Sequence, residues 1–395
     1  MKRLWDKGEP LDQRVLRYTA GEDHVLDGRL VLYDVRASIA HAKMLCAQEL
    51  LNKNDCAAIE KGLLDLATTY DAGEWTISLT DEDVHTALET RLTDAIGEAG
   101  KRVHLGRSRN DQVLAALRLY LLDASTELQN AAQGVAAALR TVAKQQGTIA
   151  LPGYTHMQHG MPSSVALWAE GFAAEFEDDA AGLEGACRRI SKNPLGSAAG
   201  YGTPGLHTDR AHTQAALGFA EIHEPVTAVQ LSRGKAEAAL IFELSLLMQD
   251  LGKLASDLLL FYTQEFAFIS LPDTMTTGSS IMPQKRNPDV LELVRGATAT
   301  VNAALDEVLG ICGKLGSGYQ RDLQRIKPPL FRAIDTAQAS TEIMTVLLTD
   351  MQFMPENIHL DPGIHAAEQA NELVTREGIS FREAYQRVSK ALQKK

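Results

Sequence analysis

What this sequence of 395 residues lacks sets its first limits. Its cysteines, Cys46, Cys56, Cys187 and Cys312, are scattered, with none of the paired spacings that zinc or dithiol redox chemistry requires. They read as reduced thiols of a cytoplasmic protein. Proline and glycine are sparse, at 13 and 30 residues, and 45% of the chain is hydrophobic, the composition of an ordered, soluble protein. No window is apolar for the length of a membrane span, and the opening Met-Lys-Arg-Leu-Trp-Asp-Lys-Gly lacks the apolar run of a signal peptide. Positive charge is in deficit as well, 39 basic residues against 51 acidic, for a net charge of −12. That argues against a nucleic-acid or anionic-membrane partner, so an anionic ligand must be met by cations gathered locally.

What is present is helical periodicity. From Asp111 to Leu151 there is no proline, and Val113, Leu117, Tyr120, Ala124, Leu128, Ala131, Val135, Ala138 and Val142 recur at steps of three and four, which predicts one long amphipathic helix. A second long run lies between Pro225 and Pro272, with the heptad seam Leu244, Leu247, Leu251, Leu254, Leu258 and Phe261. Further long helices fit 163–191, 289–314 and 329–351, and strands are scarcely supported anywhere. Shorter helices are expected near 34–51, 54–71, 362–377 and 380–393. Another is expected to start at Leu79 with an acidic first turn, while Trp5–Arg17 and Gly21–Asp27 read as loops and short turns. The expected fold class is all-α: a long central helix bundle over 105–350, flanked by smaller helical domains at 1–104 and 351–395. Faces this long and apolar are expected to associate into a symmetric homo-oligomer.

The chemistry should lie in the loops between the helices. In residues 274–296, Thr276–Ser280 is small and polar and reads as a mobile loop. Asn287 then stands where an N-cap belongs, with Pro288 at the first helical position. A loop carrying Ser279, Ser280, Lys285 and Asn287 thus runs into the positive end of a helix, an arrangement suited to closing over an anion. The plainer alternative is a solvated surface loop before a buried helix. At 104–112, Gly106 and Ser108 let the backbone approach a ligand, Arg107 and Arg109 can hold carboxylates, and Asn110 either caps the helix or donates to a substrate. In 151–162, His156 and His159 lack a third ligand in register, so no metal is expected. In 193–205, Gly200, Gly202 and Gly205 follow a helix rather than a strand and Pro204 interrupts them, so no nicotinamide or other cofactor is expected.

Gly278-Ser-Ser-Ile-Met-Pro-Gln-Lys-Arg-Asn-Pro288 resembles the signature loop of the fumarase/aspartase superfamily. Arg107-Ser-Arg-Asn-Asp-Gln112 is similar to the segment that distinguishes the argininosuccinate lyases within it. The resemblance implies a carbon–nitrogen lyase of arginine biosynthesis that eliminates arginine from argininosuccinate and leaves fumarate. On that resemblance Ser279 is the proton-abstracting base and His156 the general acid, although the opposite assignment also exists for the family. Lys285 stabilises the developing charge, and Glu292 pairs with the histidine. Asn110, Thr155, Asn287, Tyr319, Gln324 and Lys327 bind the substrate, with Ser108 and Arg109 beside them. Asp34, following Tyr33, receives the guanidinium, and His85 lies near the carboxylates. A homotetramer with sites shared between subunits is implied as well.

The resemblance runs from Leu4-Trp5 to Tyr385, beyond which members of the family continue. It departs at Ser197-Ala-Ala-Gly-Tyr-Gly-Thr203 and at Gln230-Leu-Ser-Arg-Gly-Lys235, where the usual pattern is the acidic Ser-Asp-Arg-Asp type. Leu30 is also apolar where a small polar residue is common. Two other readings compete: another fumarate-releasing lyase of the superfamily, and a crystallin-like structural homologue without activity.

Overall fold

The computed structural model describes residues 12–393. Leu4 and Trp5, and the first part of the stretch read as loop over Trp5–Arg17, lie outside the described residues. The order along the chain is α1 (Gln13–Ala20), α2 (Asp23–Leu26), α3 (Val31–Ala47), α4 (Lys53–Asp71), α5 (Val84–Ile96) and α6 (Glu98–Lys101). The long helix α7 (Arg109–Gln146) follows, then a hairpin of β1 (Ala150–Thr155) and β2 (Gln158–Ser164), and α8 (Val165–Ile190). Next come β3 (Lys192–Asn193), α9 (Arg210–Leu217), β4 (Glu221–Ile222), α10 (Val226–Leu231) and α11 (Lys235–Tyr262). The chain continues with β5 (Ile269–Ser270), α12 (Asp289–Cys312), α13 (Lys327–Asp350), β6 (Gln352–Phe353), α14 (Ala366–Glu377) and α15 (Phe381–Leu392). The fold is all-α, and the strands outside the hairpin are two residues long.

The chain forms two compact units, and the division falls within each of the five long helices. The first comprises residues up to Glu127, Gly182–Leu244 and Val301–Asp335. Its helical hairpin α3–α4 is stopped by Asn52, whose side chain accepts from the Asp55 amide at 2.9 Å and starts α4. Ala37 and Ala40 of α3 pack with Ala115 and Leu119 of α7 and with Leu195, Leu217 and Phe219. These small residues allow the helices to approach closely. Much of what is buried beside them is charged or polar, including Asp27, Asp34, His41, His85, Arg107, Asp111, Arg118, Arg233, Glu237 and Lys327.

The second unit comprises Leu128–Ala181, Ser245–Thr300 and the chain from Thr336 onward. Its core is aromatic and aliphatic. Trp168 contacts Phe172, Phe261 and Phe353 with ring centroids 5.6 to 5.8 Å apart, and its indole donates to Asp257 at 2.9 Å. Gln146, at the end of α7, donates to the Met351 carbonyl and accepts from the Phe353 amide, closing the end of α13. Ala370, Ala384 and Val388 hold α14 against α15.

The heptad seam on α11 is buried along its length, from Leu244 to Phe261. Three expectations need correction. Gln13–Ala20 is a helix, because Asp12 accepts from the Arg14 amide at 2.7 Å and caps it. The helix expected from Leu79 starts at Val84, since Asp83 is its N-cap, accepting from the Thr86 amide at 2.9 Å. Asp81, engaged with Ser78 and Arg91, lies ahead of the helix rather than in its first turn. Finally, residues 150–164 form a β-hairpin and not a loop.

Candidate active site

The second unit carries one group of candidate residues. Thr277 and Asn287 form an antiparallel bridge, with amide-to-carbonyl distances of 3.1 and 2.8 Å in the two directions. The stretch between them is therefore a loop tied at its neck. Asn287 does not cap α12; its side-chain amide turns back to the Gly278 carbonyl at 3.3 Å, and the helix begins at Asp289. The Pro288 carbonyl accepts from the Glu292 amide at 3.3 Å, which places Pro288 at the cap position. Asp289 accepts from the Thr277 hydroxyl and occupies the positive end of the helix dipole. Inside the loop the Ser279 hydroxyl oxygen faces the backbone amides of Ile281 and Met282, 3.4 and 3.3 Å away. Lys285 and Glu292 are exposed, whereas Arg286 is held by Asp273 at 3.0 Å.

Thr155 and His156 sit at the tip of the β1–β2 hairpin and are exposed. His156 and Met157 are the two turn residues, and both have positive φ, 53° and 61°. Those angles belong to the tight turn whose twist suits a hairpin, a turn that ordinarily selects Asn and Gly. The ladder shifts register past Gly153–Tyr154, leaving Gly160 as the extra residue beside Thr155. His159 packs its ring edgewise on Tyr154 and accepts from the Asp361 amide at 3.3 Å, which gives it a structural place.

The first unit carries the other group. Ser108 and Asp111 form a reciprocal cap on α7: the Asn110 amide donates to the Ser108 hydroxyl at 3.3 Å and the Ser108 amide to Asp111 at 3.0 Å. The cap is thus Ser108, which leaves the half-buried Asn110 side chain free of that task. Asp111 also accepts from the Gly196 and Ala198 amides at 3.1 and 2.8 Å, fastening the small-residue loop to the helix start. Burial pushes its carboxyl up to about 6. Arg109 is gripped by Asp83 and by the Thr86 hydroxyl at 2.6 Å. Arg107 is not a free carboxylate receptor. It is buried, donates to Ser38 at 2.8 Å, and lies in the field of Asp34, Asp111 and Glu89.

Asp34 is wholly buried, and its oxygens accept from His85 Nδ1 at 2.7 Å, Gln112 at 3.0 and 3.1 Å and Ser38 at 3.0 Å. Burial alone would raise this carboxyl, but His85 and then Arg107 and Gln112 hold it below the usual range. Its lone pairs are spent inside the chain, so it orients His85, whose Nε2 is buried without a partner. Lys327, the first residue of α13, is clasped by Asp27 at 2.6 Å and Asp23 at 3.0 Å. Burial opposes its charge, yet the two carboxylates outweigh this and raise its pKa. Burial pushes Asp23 up to about 6 against the pull of Lys327. Gln324 donates to the Thr19 and Ala20 carbonyls at 2.9 and 3.1 Å, and Tyr319 lies half-buried under the Arg233 guanidinium.

The structure therefore joins Asp34 with His85, and Ser108 with the start of α7. It brings Lys327 to Asp23 and Asp27, which sequence reasoning missed although two aspartates one helical turn apart were there to notice. Asp83 was missed as the partner of Arg109, being taken for a dipole-favoured acid.

A family model described as a lyase matches residues 12–303 of this chain. An argininosuccinate lyase of Sorangium cellulosum is 44% identical over 390 residues, 98% of this chain and 90% of the relative. Among solved structures, an EDDS lyase in complex with formate has a TM-score of 0.82 at 24% identity, covering 98% of this chain and 78% of that one. A class II fumarase from Schistosoma mansoni has a TM-score of 0.79 at 17% identity, covering 98% and 90%. Those two likenesses carry the fold, while the near-complete match at 44% identity carries the family. On that match, this chain belongs to the argininosuccinate lyases of the fumarase/aspartase superfamily.

Proposed function

We propose that this chain eliminates L-arginine from argininosuccinate and releases fumarate, a step that supplies arginine in the cytoplasm. The observation that carries the mechanism is the Ser279 oxygen facing two backbone amides inside a loop closed at its neck. A proton on carbon beside a carboxylate is a very weak acid, and a neutral serine is a poor base for it. Donors aimed at the serine oxygen favour its alkoxide and so make Ser279 competent. Lys285 and Asn287, on the same loop, stabilise the dianionic aci-carboxylate that follows loss of the proton. His156, carried on the hairpin tip, acts as general acid toward the departing guanidine nitrogen, and Glu292 pairs with it. Thr155 and Asn287 bind the succinyl end. Asn110, Ser108, Arg109, Tyr319, Gln324 and Lys327 bind the remainder, with His85 held in place by Asp34.

We assign the same chain to a homotetramer with sites shared between subunits. Exposed apolar side chains at helical spacing support this: Phe242 and Leu246 on α11, Ile343 and Val346 on α13, with Leu167, Leu293 and Leu309. The three-part division at 1–104, 105–350 and 351–395 is proposed as the domain organisation of each subunit.

The test is to incubate purified protein with argininosuccinate and follow fumarate by its ultraviolet absorbance, with Ser279→Ala alongside. Fumarate from the wild type and almost none from the variant is expected. Equal activity in both would sink the base assignment. A well-folded wild type that releases fumarate only from another succinylated substrate, or from none, would sink the reaction.

A further inference from the structure

The first unit buries polar groups that none of the roles above uses. Arg233 and Gln230 are each only 5% exposed; Gln230 is in the last turn of α10, and Arg233 lies between α10 and α11. The Nε and Nη1 of Arg233 are buried with no hydrogen-bond partner, and so are both the oxygen and the nitrogen of the Gln230 amide. The Ser197 hydroxyl is in the same condition. It shares a turn with Gly200, whose amide donates to the Ser197 carbonyl at 2.8 Å. A Cβ at Gly200 would come within 2.9 Å of the Gln230 side chain, so this turn lies directly on the glutamine.

The charges here do not balance. Arg118 and Arg233 are buried cations, and Glu237 is the buried anion near them. Glu237 is further committed to the Gly234 amide at 2.7 Å. Arg118 has partners in the Lys192 carbonyl, His223 and Ser232, whereas the residues flanking Arg233, Ser232 and Gly234, carry no acid. Leaving two buried guanidinium nitrogens without acceptors is costly, and a ligand that supplies the acceptors removes that cost. The Tyr319 ring lies against Arg233, its centroid 5.5 Å from the guanidinium carbon. Tyr319 stands in the irregular segment between α12 and α13, among the residues assigned to substrate binding.

We propose that Arg233 and Gln230 form a carboxylate subsite beside Tyr319, which takes the α-carboxylate at the arginine end of the substrate and thereby selects the amine that is released. This rests on the argininosuccinate reading. A carboxylate supplies what these groups lack, acceptor oxygens for the unpartnered donors of Arg233, Gln230 and Ser197.

The experiment compares inhibition by L-arginine with inhibition by agmatine, the same guanidine without the carboxylate, in the wild type, Arg233→Met and Gln230→Leu. The wild type should prefer arginine by roughly 10- to 100-fold, the worth of a hydrogen bond to a charged group that agmatine cannot make. Arg233→Met should reduce that preference to within about 3-fold and raise KM for argininosuccinate more than it lowers kcat. It should do so without lowering Tm, because an apolar residue replaces an unpaired buried charge. Gln230→Leu should narrow the preference less. A wild type indifferent to the carboxylate, or an Arg233→Met enzyme that keeps the full preference, overturns the subsite. So does an Arg233→Met protein whose lost preference comes with a clear fall in Tm, since that marks a structural arginine. Should Arg233→Met fail to fold, an unchanged preference in Gln230→Leu overturns it equally. Turnover is read separately. A wild type that prefers arginine yet produces no fumarate from argininosuccinate would sink the reaction and leave the subsite standing.

Discussion

The two units keep their polar groups in opposite ways. The first buries them, many in closed networks: Lys327 between Asp23 and Asp27, Asp34 under three donors, Asp111 beneath three amides. The second buries rings and leucines, and leaves Lys285, Glu292, Thr155 and His156 exposed on a tied loop and a hairpin. Buried networks fix geometry, and breaking one strands a charge. Exposed residues on short backbone ties can be changed at little cost to folding. Stability and rate should therefore separate along the chain.

The largest test of that contrast is Ser279→Ala. It should lower kcat by about 10²–10⁴-fold, the usual worth of a positioned acid–base group, while stability stays within about 0.5 kcal/mol. Kinetics and urea unfolding on the same preparation check both halves. Lys327→Met should do the reverse in the first unit. Removing the cation leaves Asp23 and Asp27 facing each other in the core, which costs about 3–5 kcal/mol of stability besides its effect on binding. A Lys327→Met protein as stable as the wild type would break the comparison.

How much of this was legible in the sequence follows from the range of the interactions. The long helices were, because a three-to-four-residue period is local and Leu244 to Leu258 shows it without reference to anything else. The Ser279 loop was also legible, through its run of residue types. The Lys327 clasp was not: Asp27 lies 300 residues away, and no periodicity reports a pairing of that separation. Nor was the hairpin. Its strands contain Pro152, Gly153, Gly160 and Pro162, poor strand formers, and its turn uses His and Met where Asn and Gly announce one. Asp34 was read as a substrate contact because its neighbours in sequence fit. Its neighbours in space, His85 and Gln112, come from other helices and spend its lone pairs.

Acid titration sharpens the contrast at intermediate scale, since the strongly shifted buried groups belong to the first unit. Burial pushes His41 down to about 3 and His223 to about 4, so below pH 6.5 the unfolded chain takes up protons there that the fold refuses, and stability falls as pH falls. Asp23 and Asp111, both raised to about 6, work the other way. Between pH 6 and 4 the fold holds their protons and the unfolded chain does not, so stability rises as pH falls. The opposing pairs nearly cancel, with His104, pushed down to about 4 and a third exposed, adding a small acid loss. Asp111→Asn removes one opposing proton. Relative to the wild type it should lose about 1.4 kcal/mol per pH unit from pH 6 to 4, read by urea unfolding at several pH values. Parallel curves for the two proteins would show that Asp111 does not titrate in that window.

The smallest effect lies in the second unit, at the hairpin tip. Met157 holds a φ of 61°, a conformation in which its Cβ crowds the backbone, and it does so beside His156 at 53°. Such strain is worth keeping where it aims a side chain, and here it turns His156 off the end of the ladder. Met157→Gly should relieve it and stabilise the protein by about 0.5–1 kcal/mol, offset in part by the freedom glycine gains in the unfolded chain. For a chain of this size that is a rise in Tm of roughly 1–2 °C. The same change lets the tip flex, so kcat should fall a few-fold while KM holds. If Tm rises and kcat is untouched, the strained turn serves only the hairpin. If both fall, Met157 is packing rather than straining, and the tip belongs with the buried networks of the first unit in how it resists change.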